Sequence, residues 1–107
     1  MNIPKELKIG GVVYKISYPK NKKEMEGKDS NDGEFYYADG KTDIGKQWIK
    51  FAFEKGIGKE YKEFVFFHEL THLLFYWTGT GQWDNEREVQ GFSAMLYQVL
   101  KENGLLT

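Results

Sequence analysis

Cysteine is absent from this chain. That excludes disulfide staples and thiolate zinc sites, so any metal must be held by nitrogen and oxygen. It also fits a reducing compartment, and a cytoplasmic location is the expectation. An excess of one charge is missing too. Fifteen Lys and Arg stand against sixteen Asp and Glu, for a net charge of −1. A chain without a basic excess gives no electrostatic reason to expect a nucleic-acid partner. Long apolar runs are also lacking. The most apolar stretch, Phe64 to Trp77, is broken by His68-Glu69 and Thr71-His72. It falls short of the roughly 18 clean residues that suggest a membrane span. The start, Met1-Asn2-Ile3-Pro4-Lys5-Glu6, has no apolar run of the signal-peptide kind. No membrane partner is expected.

What is present fits one small domain over residues 1–107, with a 17% aromatic share as bulky material for a modest core. The first half reads as β structure. Leu7 to Tyr18 is strand material around a Gly10-Gly11 turn, and Pro19 stops regular pairing. Lys20 to Asp32 is polar and charged and reads as a solvated loop, or as a flap over a site. Glu34-Phe35-Tyr36-Tyr37-Ala38 forms a second strand region, Asp39-Gly40 a turn, and Ile44 to Phe53 a third strand region.

The second half reads as helix. Over Lys59 to Thr78 the residues Phe64, Phe67, Leu70, Leu73, Leu74 and Trp77 recur at spacings of three and four. Val65, Phe66, Phe75 and Tyr76 spread apolar character around the circumference, which predicts burial on several sides. Gly79 is a stop signal. A second helix is expected over Asn85 to Asn103, with Val89, Phe92, Leu96, Val99 and Leu100 as its core stripe and Gly104 as its end. So short a connection between helices predicts antiparallel packing. The expected class is α+β: a small antiparallel β-sheet followed by an antiparallel helical hairpin.

The chemistry sits in the first helix. His68-Glu69-Leu70-Thr71-His72 fits H-E-x-x-H and contains the only two histidines of the chain. A spacing of four is just over one helical turn, so both imidazoles project from one face and can reach one tetrahedral zinc ion. Glu69 lies about a quarter turn away, placed for a water on that ion rather than for the ion itself. Two histidines and a glutamate in an apolar helix are costly to bury without partners, and a metal supplies them. A catalytic zinc takes three protein ligands and keeps a place for water. With no third His or Cys, the third ligand should be a carboxylate, and the second helix offers Glu86 and Glu88. Asn85 and Glu88 have the spacing of an N-cap and its third helical residue, which gives Glu88 a structural task. Glu86 has none and shares a ridge with Val89, Gln90 and Ser93, so Gln90 could support it from one turn on.

At these residues the chain resembles small gluzincin-type zinc peptidases, in particular the ImmA/IrrE-like family common in phages and mobile elements. The resemblance runs from His68-Glu69-Leu70-Thr71-His72 to Glu86-Arg87-Glu88-Val89-Gln90-Gly91-Phe92-Ser93. It implies a minimal zincin-like fold, Zn2+ held by His68, His72 and Glu86, and Glu69 as catalytic base. Gln90 takes the place of the family's supporting Asn or Asp, and Val89 that of a small residue. It also implies a protein or peptide substrate, such as a repressor or host factor. Tyr36, Tyr37, Tyr97 and Arg87 are candidate donors to the oxyanion. An edge strand could bind an extended peptide, with Trp48 to Phe53 as the candidate or, instead, a covered core strand. Trp83 could line the cleft or cover the core. The competing readings are a silent zinc-binding interaction module and an interaction protein without metal. The short chain leaves little material for specificity pockets, so a narrow substrate is expected.

Overall fold

The computed structural model describes residues 1–19, 39–53 and 55–106. The strand expected over 34–38, the loop expected over 20–32, and the candidate donors Tyr36 and Tyr37 lie outside them.

Within the described residues the chain is a small α+β domain with one four-stranded sheet and two helices. Strands β1 (Glu6–Ile9) and β2 (Val12–Ser17) form an antiparallel hairpin in the register Leu7↔Tyr14 and Ile9↔Val12. Gly10 and Gly11, at φ 60° and 78°, make the turn, a left-handed pair that matches the twist of the flanking strands. Strand β3 (Asp39–Asp43) pairs antiparallel with β4 (Trp48–Ala52), and the sheet order is β1-β2-β4-β3.

Two expectations about the sheet are corrected here. The sheet is mixed and not antiparallel throughout, because β2 and β4 run parallel with Ile16 opposite Ile49. Parallel neighbours need a crossover of about a dozen residues or more, and the stretch between Ser17 and Trp48 exceeds that. Asp39-Gly40 is not a turn but the start of β3. The turn falls instead at residues 44–47, where the Asp43 carboxylate accepts the Lys46 N–H at 2.9 Å and Gln47 adopts φ 58°. Ile44 therefore precedes the strand to which its apolar character assigned it.

Helix α1 (Lys59–Trp77) stops at Thr78. The N–H groups of Gly79 and Thr80 turn back to the carbonyls of Tyr76 and Phe75. Helix α2 (Glu86–Glu102) starts at Asn85, whose side chain accepts the N–H groups of Arg87 at 3.1 Å and Glu88 at 3.3 Å. α1 lies between the sheet on one side and α2 on the other, which explains its all-round apolar character. Tyr14, Ile49 and Phe51 from the sheet pack with Val65, Phe66 and Leu73 from α1 in the core. The stripe expected for α2 holds in part. Val89 is fully buried and Leu96 and Leu100 are half-buried, but Phe92 and Val99 are almost half exposed, and Ser93, outside the expected stripe, is fully buried. Among the described residues no helix is long and apolar enough to cross a membrane.

A buried carboxylate joins the two helices. Glu63, 2% exposed, accepts the Tyr97 hydroxyl at 3.0 Å and lies 3.5 Å from the Lys101 ammonium and 3.4 Å from the Met1 ammonium. Burial pushes this carboxyl up. The Tyr97 hydrogen bond, the N-terminal ammonium and Lys101 together outweigh that and hold it below the usual carboxylate range. A carboxyl whose native pKa lies below its unfolded value stabilises the fold at neutral pH, and the contribution is lost as pH falls through the lowered value. Glu63→Gln should therefore flatten the acid limb of a plot of unfolding free energy against pH. An unchanged acid limb would show that this carboxylate is not what holds the helices at neutral pH.

The β1–β2 turn is fixed from the far end of α1. The Trp77 indole donates to the Tyr14 hydroxyl at 3.0 Å, and a Cβ built on Gly10 would lie 2.3 Å from the Trp77 ring. Gly11 has the same left-handed backbone but open space around it. Gly10→Ala should lower stability by about 2–3 kcal/mol and Gly11→Ala by about 1 kcal/mol, read as the difference in urea unfolding midpoints.

Candidate metal centre

Helical spacing brings the rings of His68 and His72 to 5.1 Å between centroids on one face of α1. α2 crosses that face at its first turn. The Glu86 carboxylate reaches both rings, with Oε2 2.9 Å from His68 Nε2 and Oε1 3.0 Å from His72 Nε2. Of the two glutamates that the sequence left open, Glu86 is the one at the imidazoles. Glu88 has its backbone N–H tied to the Asn85 cap. The ligand atoms of His68, His72 and Glu86 lie within 4.8 Å of one another, so the three form a group able to hold a metal ion.

The far nitrogens of the two rings are also engaged. His72 Nδ1 lies 2.6 Å from the carbonyl oxygen of Trp83, and His68 Nδ1 lies 2.8 Å from Gln90 Oε1. A backbone carbonyl can only accept, so His72 Nδ1 carries the proton. A neutral imidazole has no second N–H, and its Nε2 then presents a lone pair to a carboxylate that also presents lone pairs. Either the ring takes a second proton or a cation sits between them. Two nitrogens and a carboxylate facing one point with the protons on the outside are the donor set that a divalent cation takes. Ligands about 2.0–2.1 Å from a tetrahedral zinc lie about 3.3 Å from one another. The two Glu86–imidazole separations, 2.9 and 3.0 Å, are near that value, and the whole set of ligand atoms lies within 4.8 Å. The group could therefore hold a metal ion.

Glu69 stands beside this group and is 5% exposed. Its Oε1 accepts the Thr42 hydroxyl at 2.7 Å. Burial pushes its carboxyl above the usual range. The Thr42 hydrogen bond and the nearby imidazoles of His72 and His68 pull it part of the way back, and the Glu86 carboxylate pushes it up again. Such a carboxyl holds its proton more readily than a solvated one.

A cleft of about 460 Å³ opens over these residues. Tyr61 and Phe64 line it on the side of the α1 start, Trp83 and Asp84 on the side of the connection between helices, and Gly40 and Thr42 of β3 form a further wall. Trp83 thus lines the cleft, and its carbonyl orients His72 as well. The segment Trp48 to Phe53 does not supply an edge. β4 lies between β2 and β3, and among the described residues β3 ends the sheet beside α1. Tyr97 is not poised at the cleft, since its hydroxyl is bound to Glu63 and its ring packs on Phe64 and Phe67. Gln90 supports His68 rather than Glu86. Sequence reasoning missed Thr42 and the Trp83 carbonyl. A backbone carbonyl leaves no mark in a sequence, and one threonine after an Asp-Gly pair carries no pattern of its own.

Comparison of the chain with protein-family models, with curated proteins and with solved structures finds no match.

The hydrogen bond from His68 Nδ1 fixes which nitrogen faces the cleft. Replacement of Gln90 by Leu removes that acceptor at similar volume, and should weaken binding of a divalent metal by about 10- to 100-fold. Competition against a chromophoric chelator measures this, with circular dichroism to confirm that the fold is retained.

Proposed function

We propose that this chain is a zinc-dependent endopeptidase that hydrolyses a peptide bond in a specific protein substrate, with a repressor or host factor as the kind of target that its motif resemblance to ImmA/IrrE-like peptidases implies. The observation that carries the reading is the meeting of two imidazoles and the Glu86 carboxylate at a point where their protons lie on the outside. His/His/Glu ligation suits zinc best among the common divalent ions. On this reading α1 and α2 are the antiparallel hairpin of a minimal zincin-like domain. Their contacts run in opposite chain order, from Glu60 and Glu63 with Lys101 to His72 with Glu86.

Zinc, when bound, supplies a water acidic enough to attack at neutral pH and a Lewis-acid contact for the scissile carbonyl. His68, His72 and Glu86 hold it, and Gln90 and the Trp83 carbonyl keep the ligating nitrogens aimed. Glu69 takes a proton from the attacking water and passes it to the leaving amine. Its burial and raised carboxyl suit that exchange, because a base works best with a pKa near the working pH. An extended peptide lies in the cleft, which Gly40 and Thr42 of β3 wall on one side.

A second reading draws on the same burial. Glu69 at 5% exposure, bonded to Thr42, also suits a silent zinc-binding module in which this carboxylate only braces the site. Native mass spectrometry and proteolysis separate the two. The protein should carry one zinc ion per chain. Wild type should cleave its partner protein and Glu69→Gln should do so at least about 100-fold more slowly. One bound zinc with wild type and Glu69→Gln equally inert on every candidate partner would leave the silent module. A protein that binds no metal would remove both readings.

A further inference from the structure

We propose that strand β3 is a positioning device for Glu69, in which Thr42 fixes one carboxylate oxygen and Gly40 leaves the space that the side chain occupies. The catalytic consequence rests on the peptidase reading, but the positioning itself does not.

Residues two apart on a strand share a face, so Gly40 and Thr42 look the same way. The pairing Gly40↔Phe51 and Thr42↔Ile49 sets that face toward α1, because Phe51 and Ile49 are 1% exposed in the core beneath the helix. A slip of one residue would turn Lys41 and Asp43 inward and the register would fail. Two contacts to Glu69 follow from this face. Thr42 Oγ1 donates to Oε1 at 2.7 Å. A Cβ on Gly40 would lie 2.7 Å from Glu69 Cγ, 3.1 Å from its Cδ and 3.1 Å from Val65 Cγ1. Gly40 is not among the residues with positive φ. Its lack of a side chain thus answers a need for room rather than a backbone requirement.

A glutamate has three rotatable side-chain torsions. α1 fixes only where Cα and Cβ of Glu69 stand, and β3 narrows the rest. With Oε1 engaged, Oε2 has no donor among the described residues and remains available to accept a proton. Thr42 spends its hydroxyl hydrogen on Glu69, so it acts through that residue.

Thr42→Val removes the hydroxyl at nearly constant volume, Thr42→Ser keeps it, and Gly40→Ala fills the space. Crystal structures of the metal-free variants read the carboxylate position without reference to activity. Thr42→Val and Gly40→Ala should each displace the Glu69 carboxylate by more than about 0.5 Å, the tolerance for a productive site, and Thr42→Ser should leave it in place. On a cleaved substrate, Thr42→Val should lower kcat by about 100-fold, as an ångström of misplacement does, with KM and zinc content unchanged. Thr42→Ser should return kcat to within about threefold of wild type. Thr42→Ala takes the place of the valine variant if that one does not fold. A Glu69 carboxylate that stays put without the hydroxyl overturns the proposal. So does a loss of kcat that serine fails to restore. If wild type cleaves nothing, the crystal structures alone decide the positioning, whereas equal inertness of wild type and Glu69→Gln counts only against the peptidase reading.

Discussion

The hydrogen bond from His72 Nδ1 to the Trp83 carbonyl decides the character of the whole site. It places the imidazole proton on the side away from Glu86 and leaves the other nitrogen as a lone pair facing a carboxylate. His68 repeats the arrangement with Gln90 and the second oxygen of Glu86. Three acceptors turned toward one point are a stable arrangement only with a cation or with added protons, so the polar groups of α1 and α2 are committed in advance to one of those two. The close approach of the helices that allows it depends on Val89 and Ser93, both fully buried on the face of α2 next to α1. A large residue at Ser93 would separate the helices and take Glu86 out of reach of both rings.

α1 carries two buried carboxylates, and their surroundings differ in a way that separates structure from chemistry. Glu63 has a hydroxyl and two ammonium groups within reach and is held in its charged form. It acts as a fastening between α1 and α2. Glu69 is buried with one neutral donor, Thr42, and burial outweighs that hydrogen bond and the nearby imidazoles, so its proton is held more tightly than usual. An ion fully compensated by charges has little tendency to exchange protons, while one buried with a single neutral partner is poised to do so. The two residues stand less than two helical turns apart, and only Glu69 faces the cleft.

Much of the helical half was legible in the sequence. Its elements are closed by contacts between residues close in the chain. The Asn85 cap, the end of α1 before Gly79 and the end of α2 before Gly104 all use backbone groups within a few residues of one another. The Gly10-Gly11 turn was legible for the same reason. β3 was not. Asp39-Gly40 is a strong local turn signal, and Asp-Gly-Lys-Thr-Asp has no apolar alternation to oppose it. The segment becomes a strand because β4 offers it a row of partners, a tertiary influence that outweighs local preference. Two members of the apolar stripe of α2, Phe92 and Val99, were misplaced for a related reason. Phe92 and Val99 are more hydrophobic than Ser93, yet the small residue is the one buried, since the approach of the two helices is set by fit and not by hydrophobicity.

From its order of residues alone this protein determined that His68 and His72 stand on one face one turn apart, with Glu69 a quarter turn aside. Helix geometry follows from hydrogen bonds between residues four apart and needs no other part of the chain. Which carboxylate meets the rings, which groups orient them, and which strand holds Glu69 were decided only by the tertiary structure. Glu86, Gln90, the Trp83 carbonyl, Thr42 and Gly40 reach the site from other elements. Their arrival depends on strand register and helix packing, which are settled by the shapes of buried residues far apart in sequence.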